Sequence, residues 1–360
     1  MIKIRMFART VVFIVSILFF YSKSFAEKDL DQKIILMTYN VENLFDHKDD
    51  LGKNDQTYLP LSQKQSDAHR LLCDAIPKKE WREQCLNWDW TDDVVKIKID
   101  RLAKVIHSVN SGRGPDVLVL QEVENISVLR ELNQALGGGF KEILIEGQDK
   151  RGIDVAMLAK LTLIDEPKLH QLSFSDFKKG KDDTRGILQA NFKLPDGKSL
   201  TVFGVHFPAP FHPTAMRSRA MAGLNALKKQ VNTDYQVAMG DFNITRREKQ
   251  KTNLVKALIS PNWLISEDIG CQKCLGSQYF RPDKSWSFLD KILFSHTLAP
   301  HLKSSEASGQ WMVDSGSIQI YKGAPGQVDN KGVPFGFNLD GKKILGISDH
   351  LPVLATLIKL

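Results

Sequence analysis

Apolar, β-branched runs of strand length recur along the chain: Ile34 to Tyr39, Val117 to Leu120, Ile143 to Ile145, Val155 to Leu158, Ile187 to Phe192, Leu200 to Val205, Gln236 to Met239 and Lys291 to Phe294. Between them the apolar spacing changes to that of helices. Val94 to Val109 places Val94, Ile97, Leu102, Val105 and Ile106 near one face, and Asn125 to Leu136 opens on a capping residue. Ala215 to Val231 and Lys249 to Ile259 follow the same pattern. Strands and helices mixed along the whole length predict an α/β or α+β fold. Two regions break the rhythm. His47 to Trp90 is polar, carries Cys73, Cys85, Trp81, Trp88 and Trp90, and reads as an insertion whose tryptophans form a small stapled core. Ser304 to Lys343 is rich in Gly and polar residues and reads as long loops. With no repeat and no sharp compositional shift, one domain over 27–360 is expected, with its insertion at about 47–90.

The first residues change where that domain is expected to work. Lys3, Arg5 and Arg9 precede the apolar run Val11 to Phe20, and Ser24-Phe25-Ala26 offers a small-x-small cleavage site. Residues 1–26 are thus expected to be a signal peptide, since the run falls short of the roughly 20 residues a bilayer span needs. No Cys follows it for a lipid anchor, so a secreted or periplasmic protein without a stable membrane anchor is expected. The net charge of +7 includes Lys3, Arg5, Arg9 and Lys23, so the remainder carries +3. Mild basicity of that size does not single out a partner. Cys73, Cys85, Cys271 and Cys274 are even in number, and disulfides are the default after export. Pairing of neighbours is the simplest of three connectivities; a zinc site on Cys271-x-x-Cys274 lacks a second ligand pair.

Candidate chemistry sits at the ends of the apolar strands, where an open sheet presents side chains to a cleft. Met37-Thr38-Tyr39-Asn40 ends in an amide, Val117 to Leu120 runs into Gln121-Glu122, and Phe203-Gly204-Val205 ends in His206. Val237-Ala238-Met239-Gly240 runs into Asp241-Phe242-Asn243, Asp290 begins an apolar strand, and Ser348-Asp349-His350 precedes the last apolar stretch. Each alone has a bland explanation as a turn former, cap or structural His. The set is chemically coherent. Glu122, Asp349 and Asn40 offer hard oxygen ligands for Mg²⁺, with Mn²⁺ or Ca²⁺ as substitutes. Two His residues beside carboxylates suit acid–base work on a phosphodiester, with Asp290 placed to orient a His.

Other chemistries find no support. Gly137-Gly138-Gly139 lacks the Lys-Ser/Thr of a P-loop, and neither Gly-x-Ser-x-Gly nor His-Glu-x-x-His occurs. The run Arg246, Arg247, Lys249, Lys251 reads equally as a solvated helix start or as a phosphate grip behind Asn243.

Together these motifs resemble the endonuclease/exonuclease/phosphatase superfamily, typified by deoxyribonuclease I. The resemblance runs from about Ile34 to Ala355, on Thr38-Tyr39-Asn40-Val41-Glu42-Asn43, Leu120-Gln121-Glu122, Gly240-Asp241-Phe242-Asn243, Leu289-Asp290 and Ser348-Asp349-His350 in the family's order. Arg151-Gly152-Ile153-Asp154-Val155 also resembles a stretch of bacterial members. The resemblance implies a four-layer sandwich of two packed mixed sheets with helices outside and a cleft at one rim. It implies that Glu122 binds the metal with Asn40 and Asp349 nearby. Asp241 and Asn243 would position water and phosphate, and Asp290 would orient His350. His206 would be the second His with Asp154 orienting it, and Arg185, in Thr184-Arg185-Gly186, would grip phosphate. The implied activity is metal-dependent hydrolysis of phosphodiesters; export, the His206/His350 pair and mild basicity together fit DNA, with RNA as a second substrate. A lipid-directed phosphodiesterase or phosphatase of the sphingomyelinase or phosphoinositide-phosphatase kind is the alternative, with Phe207 to Phe211 as its membrane loop. A non-catalytic binding protein need not keep the whole polar set. No protein partner is implied.

Overall fold

The computed structural model describes residues 33–178, 185–300, 309–341 and 343–360; the expected signal peptide at 1–26, and Thr184, lie outside them. In chain order the strands are β1 (Lys33–Leu44), β2 (Val117–Val123), β3 (Lys141–Leu144), β4 (Asp154–Ala159), β5 (Thr162–Leu163), β6 (Lys168–His170), β7 (Ile187–Lys193), β8 (Ser199–His206) and β9 (Tyr235–Asp241). They continue as β10 (Leu264–Ile265), β11 (Gln278–Phe280), β12 (Ser285–Ser287), β13 (Asp290–Phe294), β14 (Trp311–Ile320), β15 (Asn338–Asp340), β16 (Lys343–Leu345) and β17 (Val353–Lys359). One sheet has the order β14-β17-β1-β2-β4-β3 and the other β10-β13-β9-β8-β7-β5, with β6 also on β7. Both are antiparallel except at their centres, where β1 pairs with β2 and β8 with β9 in parallel.

The period-2 alternation of the strands builds the layers. On β1, Ile34 and Leu36 enter the core between the sheets, with Val119, Met157, Val202, Met239 and Ile292. Met37, Tyr39 and Val41 face the other way, packing under helices Asp92–His107 and Ile126–Ala135. The second sheet is covered on its outer side by helix Thr214–Gln230, through Met216, Met221 and Leu224. The sheets approach closely at Gly204, where an added Cβ would lie 2.8 Å from Val155 Cγ1. Two packed mixed sheets flanked by helices are the expected sandwich.

All eight expected strands form. Helix ends follow their caps: Asn125 Oδ1 accepts from the N–H groups of Ser127 and Val128. Two expectations need correction. Lys249 to Ile259 is not one helix: Arg246–Lys251 ends at Thr252, and Val255–Ile259 is a separate wide turn. Within Ser304 to Lys343, Trp311–Ile320 is a ten-residue edge strand on β17. Its register shifts between Asp314 and Gln319, so Asp314-Ser315-Gly316-Ser317 interrupts the apolar alternation that marks a strand.

The segment expected to be an insertion, at about 47–90, holds helices Asp67–Asp74 and Lys79–Asn87, joined by the disulfide Cys73–Cys85. Its tryptophans do not form one core. Trp90 is buried against Tyr58 and Phe337 and stacks on Trp88, whereas Trp81 is half exposed beneath the Lys78 ammonium. Cys271 and Cys274 form the second disulfide. Among the described residues no helix is long and apolar enough to cross a membrane.

Candidate active site

The parallel pairs at the two sheet centres end at the same rim, and that sets the site. On one sheet Asn40 is level with Gln121, next to Glu122. On the other His206 is level with Asp241. Strand β13 runs antiparallel to β9, so it begins where β9 ends and places Asp290 opposite Asp241. By the same logic Ser348-Asp349-His350 leads into β17, and His350 bridges to Gln278.

The chain turns sharply there. Glu42, Asn43, Glu122 and Asn243 all adopt left-handed φ between 53° and 66°, a costly region for residues with a side chain. Local bonds hold two of these turns: the Asn43 N–H donates to Glu122 Oε2 at 3.0 Å, and the Asn243 N–H donates to Asp241 Oδ1 at 2.8 Å.

One amide ties the sheets together. Asn40 Nδ2 donates to Glu122 Oε1 at 3.2 Å and to Asp241 Oδ2 at 3.3 Å. His206 Nε2 lies 3.9 Å from Glu122 Oε1 and 3.7 Å from Asp241 Oδ2. On the other flank His350 Nδ1 donates to Asp290 Oδ2 at 2.7 Å, and its Nε2 lies 4.0 Å from Asp349 Oδ1. Ligand atoms of Asp241, Asp290 and His350 lie within 4.8 Å of one another.

This arrangement sets the charge states. Burial alone would lower the His350 imidazole, but Asp290 and Asp349, the hydrogen bond to Asp290 and the charge of Asp241 hold it well above the ordinary His range. Burial, and then the charges of Arg185, Arg151 and His350, push His206 well below that range. Burial beside Asp290 pushes Asp241 up to about 7. The same rim thus pushes its two imidazoles in opposite directions.

Of the residues expected from sequence, the rim gathers Asn40, Glu122, His206, Asp241, Asn243, Asp290, Asp349 and His350. Three expectations change. Asn40 turns its amide: Oδ1 accepts the Glu42 N–H at 3.0 Å, and the amino group faces the carboxylates. Arg185 is buried and braces the site, donating to Asp149 Oδ2, His206 O and Phe207 O. Asp154 does not orient His206: its Oδ1 accepts the Gly147 N–H, while His206 Nδ1 has no hydrogen-bond partner among the described residues. Phe207 is fully buried, which leaves Phe211 as the exposed ring of the loop proposed for lipid.

Sequence reasoning passed over Glu42, although it lies inside the Asn40 motif. Its Oε2 accepts the N–H groups of Phe337 at 2.5 Å and Asp349 at 3.0 Å, which fixes Asp349. The Lys98 ammonium is buried near it, 4.3 Å over the Phe337 ring. Ser348 Oγ donates to Asn40 O at 2.7 Å. A Glu two places past the Asn, and a Lys on the buried stripe of a helix, were the available signals.

For a divalent metal the donor set is apt. The Glu122 and Asp349 side chains are 19% and 50% exposed, so hard carboxylate oxygens reach the rim rather than being spent in the core.

Comparisons with known proteins agree with the fold. A model described as the Endonuclease/Exonuclease/phosphatase family matches residues 78–359. An endonuclease/exonuclease/phosphatase family protein of Bacteroides thetaiotaomicron is similar in structure, with TM-score 0.54, 14% identity, and 91% of this chain and 98% of that chain covered. The mannosyl-6-phosphatase Bt3783 of Bacteroides thetaiotaomicron VPI-5482 has TM-score 0.54 and 15% identity, covering 90% and 99%. Truncated Caenorhabditis elegans TDP2 has TM-score 0.52 and 12% identity, covering 91% and 97%. No curated protein matches the sequence significantly. With the family model spanning most of its length, the chain belongs to the endonuclease/exonuclease/phosphatase family.

Proposed function

We propose that this chain is an exported, divalent-metal-dependent nuclease that hydrolyses phosphodiester bonds of DNA, with RNA as a second polymer. Members of the family are hydrolases of phosphoester bonds and typically depend on a divalent metal. The observation that carries the finer reading is the pair of His residues flanking Asp241, His206 level with it on β8 and His350 within 4.8 Å of it. A diester needs its attacking water deprotonated and the charge on its non-bridging oxygens met in the same step.

The residues divide that work. Asp241, near neutrality, orients the water and takes its proton, while Asn243 fixes Asp241 through its backbone N–H. The new P–O bond forms as the bond to the leaving oxygen breaks, and that oxygen departs with the bonding pair and takes up a proton from solvent. His350, charged and held through Nδ1 by Asp290, presents Nε2–H to the phosphate. His206, neutral, lies between Asp241 and Glu122 for proton exchange. Glu122 and Asp349 would hold Mg²⁺, for which Mn²⁺ or Ca²⁺ could substitute, and the metal would supply Lewis-acid charge at the phosphate. Export rests on the sequence of residues 1–26 and agrees with the two disulfides.

The test is hydrolysis of plasmid, single-stranded DNA and RNA beside sugar phosphates and phospholipids, with and without chelator. Nucleic-acid cleavage that chelator abolishes is expected. Intact nucleic acid across Mg²⁺, Mn²⁺ and Ca²⁺, with phosphate or headgroup release from the other substrates, overturns the reading.

A further inference from the structure

Beside the reaction centre lies a cleft of about 750 Å³, with Asn243 and His350 among its lining residues. Its other walls come from the loop after β8, the start of helix Arg246–Lys251 and the β11–β12 hairpin. Two phenylalanines line it with their rings in solvent: Phe211, 76% exposed, and Phe280, 48% exposed. Scattered exposed apolar residues are ordinary, but two rings on one cleft that opens onto a phosphate-directed His are not scattered. Arg246 and Arg247 line the same cleft, against one carboxylate, Asp283. Among the described residues neither guanidinium belongs to an ion pair, and Arg246 is held in place by the Leu275 carbonyl at 3.0 Å.

Flat apolar rings and guanidinium groups next to one another suit one chemistry: a planar base with a phosphate attached. The volume exceeds what a phosphate alone requires. In a duplex each base face is covered by its neighbours, so a ring on the protein can stack only on an unpaired base. We infer that this cleft is a nucleotide subsite. It takes one unpaired base of single-stranded nucleic acid against the rings of Phe211 and Phe280, beside the scissile phosphate at His350, with the adjoining phosphate against Arg246 and Arg247. The inference rests on the nuclease reading above and narrows it to single-stranded polymer.

The experiment compares kcat/KM for three strands of equal length and sequence: single-stranded DNA, the same strand in a duplex, and a strand whose bases are replaced by tetrahydrofuran spacers. The wild type is expected to prefer the single strand over both others by about tenfold or more, as stacking energies of this size imply. In Phe211→Ala/Phe280→Ala the ratio of base-bearing to spacer strand falls about tenfold, chiefly through KM. In Arg247→Ala the salt dependence of kcat/KM becomes shallower by about 0.7 in log–log slope, the value of one phosphate on a single strand. Phe211 and Phe280 are exposed, so melting curves should show that the double variant folds. An unchanged ratio in that variant overturns the inference, as does a wild type that cleaves duplex as fast as single strand. Loss of binding to anionic phospholipid vesicles with an unchanged ratio also overturns it and assigns Phe211 to a lipid surface. A wild type that cleaves no nucleic acid at all instead removes the nuclease reading beneath it.

Discussion

Asp241 on β9 and Asp290 on β13 are direct partners across two antiparallel strands, both buried. Like charges opposite each other weaken a sheet. Here the His350 imidazolium relieves one of them, through its 2.7 Å bond to Asp290. Asp241→Asn removes the repulsion and the burial of a charge together. Activity is expected to fall by about 10²–10³, the usual loss for one electrostatic group at a reaction centre. Its melting temperature, without divalent metal, is expected to equal or exceed that of the wild type. An active Asp241→Asn enzyme would remove Asp241 from the chemistry.

Asp290 holds His350 by its carboxylate, so the two are expected to act as one unit. Asp290→Asn and His350→Ala are each expected to lower kcat/KM by about 10²–10⁴. The double variant should be no worse than His350→Ala alone, because residues that act together are non-additive. Steady-state kinetics on the same oligonucleotide tests this. Additive losses would mean that Asp290 contacts substrate or metal on its own account.

Glu42 should act on metal affinity before it acts on turnover. Its carboxylate holds the backbone N–H of Asp349. Glu42→Ala is expected to weaken Mn²⁺ binding by about 10–100-fold, as is usual when a ligand's support is removed. Calorimetric titration of the folded protein without substrate measures it. Unchanged Mn²⁺ affinity would make Glu42 a loop anchor only.

Asp154 gives a pH signature in stability. Burial pushes its carboxyl up to about 7, against the pull of the Gly147 N–H. The unfolded chain releases that proton near pH 4. Between those values the folded state binds the extra proton, so stability falls as pH rises and the loss is complete above about 7. Asp154→Asn removes the titration. Its melting temperature relative to wild type should therefore climb between pH 4 and 8, and a flat difference would rule the shift out.

The strand ends were legible because the signal is local. An apolar run that stops in Asn40, Glu122, His206 or Asp241 reports both a strand and what its end presents. The loop reading of Trp311–Ile320 failed for the same reason, since a bulged strand hides its alternation. Arg185 and Asp154 were misplaced because their motifs give residue type but not partner. A guanidinium at a strand start can reach out to phosphate or back to Asp149, and only the packing around it decides.

From its sequence alone, then, the protein had a mixed α/β layering and a set of polar strand ends capable of phosphoester chemistry. Tertiary structure decided which of them meet. Asn40 reaches Asp241 across 201 residues, and Ser348 reaches Asn40 across 308. Contacts of that span depend on strand register and on how two sheets pack, whereas the polarity of a strand's last residue depends on that strand alone.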